Sequence, residues 1–344
     1  MKSSLLLSVI FFLILYSCAA VFSKPMKNRS KYYEGGKEEV ISFLSRESID
    51  SDKKILRHGV LIRRPNAKGT VLICHGFSAN KYDISFIHMM FKEYNSMAFD
   101  FRAHGQNPKG QVCTLGRNEA FDVLAAVKYI KNDPELKDKP LYAYGFSMGA
   151  VAAIIAQAQE ENLFDALVLD CPYDSTDNLL DRGINTFKFN LFGYNIPIPG
   201  SSILRSYAYN TYLQSFLKTM LKVFADMNSD PIATEIHPVY PNEAIKYVKV
   251  PCFIIGCVND DKAPVEAVRA IFDGAQGYTR LWLTQGRRHF DSIFYKLPEY
   301  FYRVKRFLEK CRDGSIKYKV EKKIVKDNVK SPIIQKVGEI INSK

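Results

Sequence analysis

Short apolar runs alternate along this chain with stretches whose apolar residues recur at helical spacing, and turn-forming residues mark the borders. Residues 140–144 (Pro-Leu-Tyr-Ala-Tyr) are apolar and short enough for a buried strand, as are residues 249–256, and residues 166–169 and 278–284 read as further strands. Helical patterns fall over residues 117–132, 150–156 and 264–272. Strands alternating with helices predict an α/β protein, a mostly parallel central sheet with helices on both faces. No repeat or low-complexity stretch divides the chain.

Between residue 172 and about residue 244 the pattern changes, which predicts an insertion. Its start is rich in aromatic and turn residues: Phe187, Phe189, Phe192, Tyr194, Pro197 and Pro199. Leu213, Phe216, Leu217, Met220, Leu221 and Phe224 then recur at helical spacing and form one broad apolar stripe. At least part of that stripe is expected to pack on the core.

The first 23 residues read as a targeting segment rather than as part of the fold. Lys2 precedes an apolar run from Leu5 to Phe22, and Lys24-Pro25 follows it. Leu15-Tyr16-Ser17-Cys18 is similar to a lipoprotein box, although Tyr16 is bulkier than usual there. Lipidation at Cys18, ordinary cleavage after Ser23 and a retained anchor are the three alternatives. Each puts the folded domain outside the cytoplasm, secreted or held at a membrane.

Gly145-Phe146-Ser147-Met148-Gly149 sits between a predicted strand and a predicted helix. A serine on so sharp a turn is held away from the sheet, and flanking glycines let strand and helix approach closely. Ser147 is therefore a candidate nucleophile. A serine hydroxyl needs a base, and His289 is the histidine that follows a late strand, after Gln285-Gly286-Arg287-Arg288. An acidic turn, Asn259-Asp260-Asp261, follows another strand. The order is Ser, Asp, His.

That order and those contexts resemble the α/β-hydrolase superfamily, specifically its esterase and lipase-like serine hydrolases, over roughly residues 55–310. Residues 70–81 are similar to the strand and loop that supply half of the family's oxyanion hole. Residues 96–106 are similar to its next strand and Asp-x-Arg-x-x-Gly turn, with Asn107 where the family usually has serine. The resemblance implies a catalytic triad of Ser147, Asp260 and His289. Asp260 stands four residues before Pro264, the family's spacing, and Asp261 is the alternative acid. It also implies an oxyanion hole made by the backbone N–H groups of Phe77 and Met148, and an insertion at 172–244 that roofs the site as a helical cap.

Other polar residues have plainer readings. His75 and His104 precede glycines in turns and are expected to hydrogen-bond loop backbone. His58, His88 and His237 lack metal-ligand spacing, so no metal or cofactor is expected. Asp170 is expected to anchor a loop, and Asp291 to face away from Ser147. Of seven cysteines, Cys74, Cys171 and Cys252 read as buried hydrophobes, while Cys113, Cys257 and Cys311 are candidates for disulfide pairing.

At 344 residues, 47% of them hydrophobic, the chain can bury a large core. Net charge is +12, and residues 312–344 carry nine Lys or Arg against four acids. A solvated extension is the default for such a tail, and attraction to anionic lipid head groups is the functional alternative. No nucleic-acid motif is present. Taken together, the expectation is an extracytoplasmic hydrolase of small-molecule or lipid carboxylic esters. A peptidase or thioesterase, or a binding protein without catalysis on the same scaffold, are the alternatives.

Overall fold

The computed structural model describes residues 30–106, 110–185, 188–191, 194–197 and 232–316. Ten strands account for the sheets: β1 (Lys37–Ser48), β2 (Ser51–Arg63), β3 (Thr70–Cys74), β4 (Asn95–Phe99), β5 (Leu141–Phe146), β6 (Ala166–Asp170), β7 (Lys188–Leu191), β8 (Tyr194–Pro197), β9 (Cys252–Cys257) and β10 (Thr279–Thr284). Eight of them form one sheet in the order β1-β2-β4-β3-β5-β6-β9-β10, while β7 and β8 pair as a separate antiparallel ribbon. From β4 to β10 every pairing is parallel, and β2 is antiparallel to both β1 and β4. The α/β reading therefore holds.

The longer helices are α1 (Glu119–Asn132), α2 (Met148–Gln159), α3 (Thr176–Asn185), α4 (Val265–Gly274) and α5 (Leu297–Arg312). Alternation along β5 shows that helices cover both faces. Tyr144 meets Tyr300 of α5 through a 2.8 Å hydroxyl contact, while a side chain on neighbouring Gly145 would meet Ala150 of α2. Covering on both sides explains why β3, β4, β5, β6 and β9 are buried throughout. β1 instead alternates between exposed and buried positions, as an antiparallel edge strand covered on one face does. The β1–β2 hairpin begins at Lys37, ahead of the segment to which the family resemblance applies.

The predicted strand ending at Gly256 runs one residue further, to Cys257. Gly256 is an interior position where a Cβ would lie 3.1 Å from Val268 of α4, so the glycine serves close helix-on-sheet packing, not termination. The insertion opens with α3 and the β7–β8 ribbon, so its aromatic start is partly β-structure. Its two ends are stitched together by Thr176, whose hydroxyl donates to His237 O at 3.0 Å and accepts from Val239 N–H at 2.9 Å. The stripe from Leu213 to Phe224, the targeting segment with Cys18, and the tail beyond residue 316 lie outside the described residues. Among the described residues no helix is long and apolar enough to cross a membrane.

Strand order decides where a crevice opens. β3 connects onward to β4 on one side, while its other neighbour β5 connects onward to β6 on the opposite side, so the connections leave the adjacent carboxyl ends of β3 and β5 in opposite directions. Register aligns the neighbouring ends, with Cys74 opposite Gly145, Phe146 opposite Asp170 and Asp170 opposite Ile255. The segments after β3, β5, β6 and β9 therefore share one rim.

Candidate active site

Ser147 stands between β5 and α2 with φ 50 and ψ −123, a conformation that non-glycine residues seldom adopt. The surrounding packing maintains it. A Cβ on Gly149 would lie 2.2 Å from Cys74 O and 2.5 Å from His75 O, and one on Gly145 would lie 2.7 Å from Gly149 O. Ser147 N–H donates to Asp170 O at 2.9 Å, which anchors the turn to β6. Ser147 itself is left partly exposed at the rim.

Ser147 Oγ lies 2.9 Å from His289 Nε2, and His289 Nδ1 lies 2.7 Å from Asp260 Oδ2. Asp260 is buried, and its other oxygen accepts the Lys262 and Ala263 N–H groups, each at 2.9 Å. Those bonds fix the carboxylate in position, and Asp260 in turn fixes the imidazole tautomer with Nε2 open toward the serine. Asp261, the alternative acid, is exposed. Asp291 accepts Arg287 N–H at 2.8 Å within its own turn.

A contact not foreseen from sequence joins the two loops. Phe146, just before the serine, stacks on Phe290, just after the histidine, with centroids 3.9 Å apart and planes at 18°. Asn259 Nδ2 donates to Gly286 O at 2.8 Å, tying the acid loop to the histidine loop.

The segment after β3 is held by two histidines. His75 Nδ1–H donates to Gly76 O at 2.7 Å, and its Nε2 accepts Phe101 N–H at 3.0 Å. His104 Nδ1–H donates to Arg102 O at 2.7 Å, and its Nε2 accepts Ser78 N–H at 3.2 Å. Accepting an N–H requires neutral rings. Burial supplies that, pulling His75 down to about 3 and lowering His104. Both histidines bond loop backbone. Lys81 and Asp100, a buried ion pair at 2.5 Å, clamp the far end of this loop to the turn after β4. Phe77 lies within the loop, and Met148 opens α2, where a first-turn N–H has no intrahelical acceptor.

Asp170 is fully buried beside this arrangement. Tyr300 OH donates to its Oδ2 at 2.6 Å and receives the Tyr144 hydroxyl at 2.8 Å, while Oδ1 has no hydrogen-bond partner among the described residues. Desolvation pushes its carboxyl up to about 7. The folded chain thus keeps this proton where the unfolded chain, with its usual value of 3.8, has lost it. Because the folded state holds the extra proton, this group weakens the fold progressively from about pH 4 to about pH 7. We expect Asp170→Asn to gain stability over the native chain across that window, read as the difference between their urea midpoints at each pH. A difference that does not change with pH would refute the raised value.

The remaining histidines lie elsewhere: His58 beside Ser42, His88 beside Ser96, and His237 beside Glu235. All six described cysteines are free thiols, which corrects the pairing expected for Cys113, Cys257 and Cys311. Cys113 sits in the core 3.5 Å from Met148 Sδ, and Cys257 closes a buried strand, so both behave as small apolar side chains.

A family model described as alpha/beta hydrolase fold matches residues 69–230. The chain has the α/β-hydrolase fold. Similar solved structures of this fold include the Pyrococcus furiosus esterase Pf2001, 24% identical, with a TM-score of 0.57 over 83% of this chain and 96% of that one. The α/β hydrolase GrgF from Penicillium sp. sh18 is 16% identical, with a TM-score of 0.55 over 80% and 99%. The acylaminoacyl peptidase of Pyrococcus horikoshii is 14% identical, with a TM-score of 0.52 over 88% of this chain and 44% of its own. No curated protein matches the chain by sequence. In this fold Ser147, Asp260 and His289, which follow β5, β9 and β10, meet at hydrogen-bond distance on one rim.

Proposed function

We propose that this α/β-hydrolase is an extracytoplasmic serine hydrolase that cleaves carboxylic esters through a Ser147 acyl-enzyme. The observation that carries the reading is the continuous hydrogen-bonded path from Ser147 Oγ through His289 to Asp260, at 2.9 and 2.7 Å. His289 Nε2 takes the serine proton as Oγ attacks the ester carbonyl, and Asp260 stabilises the imidazolium that results. Charge develops on the carbonyl oxygen, and the family resemblance assigns the backbone N–H groups of Phe77 and Met148 to receive it. His289 then passes the proton to the leaving alkoxide. Water attacks the acyl-enzyme by the same route and releases the acid.

The choice of ester over amide draws on the Pyrococcus furiosus esterase of the same fold. The extracytoplasmic location draws on the apolar run after Lys2. A helical cap carrying the Leu213–Phe224 stripe over the site would line an apolar acyl pocket. A membrane surface is the proposed setting for the basic tail, should the substrate be a lipid.

A fluorophosphonate probe combined with a series of p-nitrophenyl esters tests this reading. Only an activated serine reacts quickly, so labelling is expected at Ser147. Each methylene moved into an apolar pocket contributes about 0.8 kcal/mol, so kcat/KM should rise roughly fourfold per added carbon until the pocket ends. A rate that ignores acyl length and follows the amine side of peptide substrates would replace the ester reading with a peptidase.

A further inference from the structure

Cys171 follows β6 and is fully buried against the same imidazole that faces Ser147, with Sγ 4.0 Å from His289 Nε2. Its backbone is pinned to the rim: φ is 44, and its N–H donates to Ile255 O at 2.8 Å, which sets the point from which the side chain projects. Among the described residues, Cys171, Asp260 and His289 are the only group of three or more His, Cys, Asp or Glu whose donor atoms all lie within 4.8 Å of one another.

From this geometry we infer that Cys171 and His289 form an inhibitory site for a soft divalent cation, Zn2+ above all. The inference rests on the hydrolase reading for its consequence, though not for the site itself. Asp260 holds His289 Nδ1–H, and carboxylates hold zinc-bound histidines in the same way, leaving Nε2 as the ligand. Tetrahedral zinc with ordinary bond lengths places sulfur and nitrogen ligands about 3.6 Å apart, and nitrogen and oxygen ligands about 3.3 Å apart. The Cys171 Sγ to Nε2 separation of 4.0 Å and the Ser147 Oγ to Nε2 separation of 2.9 Å each need to change by less than half an ångström. The His289 side chain is 16% exposed and Ser147 is partly exposed, so the imidazole is not sealed from solvent.

On binding, zinc forms bonds to Nε2 and Sγ, with Ser147 Oγ or water completing the shell, and the thiol proton leaves for solvent. No redox change is involved. The metal occupies the lone pair that would accept the serine proton, so turnover stops until the metal is removed. A thiolate and an imidazole favour zinc, cobalt or cadmium over hard cations such as Mg2+.

The test uses the full chain with Zn2+, Co2+ and Mg2+ as probes. Zn2+ should slow ester turnover, EDTA should restore it, and Mg2+ should do nothing. In Cys171→Ala and Cys171→Ser, the zinc needed for half-inhibition, relative to each variant's own uninhibited rate, should rise about tenfold or more. Co2+ should give a sulfur-to-metal charge-transfer band with the native chain at one equivalent, and none with either variant. Equal zinc sensitivity in native and variant chains, or no cobalt band in the native chain, overturns the proposal. A cobalt band that requires Cys171 in a chain inactive on every ester upholds the metal site while refuting the hydrolase reading.

Discussion

Replacing Ser147 with alanine should lower ester turnover by about a millionfold while leaving the fold intact, since a triad acts as a unit and the loss of its nucleophile is nearly the whole effect. The substitution removes a single oxygen from a partly exposed position and opens no core cavity. His289→Ala should cost nearly as much. Asp260→Asn should cost about ten-thousandfold, because an amide in place of the carboxylate favours the wrong imidazole tautomer. Asp261→Asn should be mild, as its side chain is exposed while Asp260 makes the 2.7 Å bond to His289. Steady-state kinetics on a chromogenic ester, with circular dichroism to confirm folding, measure all four. Normal turnover in Ser147→Ala would remove the serine mechanism, and a reversed ranking of the two aspartates would move the acid.

Gly149→Ala should be severely damaging for a change of one methyl group. The new Cβ would lie 2.2 Å from Cys74 O and 2.5 Å from His75 O, and neither backbone oxygen can retreat without moving β3 or the loop that carries Phe77. Overpacking of this kind costs about 3 kcal/mol, which lowers Tm by roughly 6–12 °C in a domain of this size. Activity should fall further than stability does, because the forced movement separates the loop after β3 from the first turn of α2. Thermal melts and kcat/KM at a temperature where the variant is folded read the two effects separately. Unchanged activity would mean that the loop after β3 takes no part in stabilising the transition state.

The active-site candidates were legible because their chemistry depends on local order that one stretch of chain encodes. A strand, a Gly-x-Ser-x-Gly turn and a helix of small residues specify a serine elbow wherever they occur together, and the turns carrying Asp260 and His289 are marked by the strands before them. Buried parallel strands such as β5 and β9 were visible as apolar runs, because both of their faces are covered.

What depends on residues far apart in sequence was not legible. Choosing Asp260 over Asp261 required the loop geometry that lets one carboxylate accept two backbone N–H groups while facing His289. The Phe146–Phe290 stack, the burial of Asp170 beneath Tyr300 and the approach of Cys171 to His289 join positions more than one hundred residues apart. Cys113 and Cys257 could be read as disulfide partners until the sheet and core enclosed them separately as apolar side chains. Local sequence determined which elements form and which residue types stand at their ends, since periodicity and turn chemistry act over a few residues. The parallel register of β3, β5, β6 and β9 decided which of those ends meet, because strand order and packing alone set the distances across the rim.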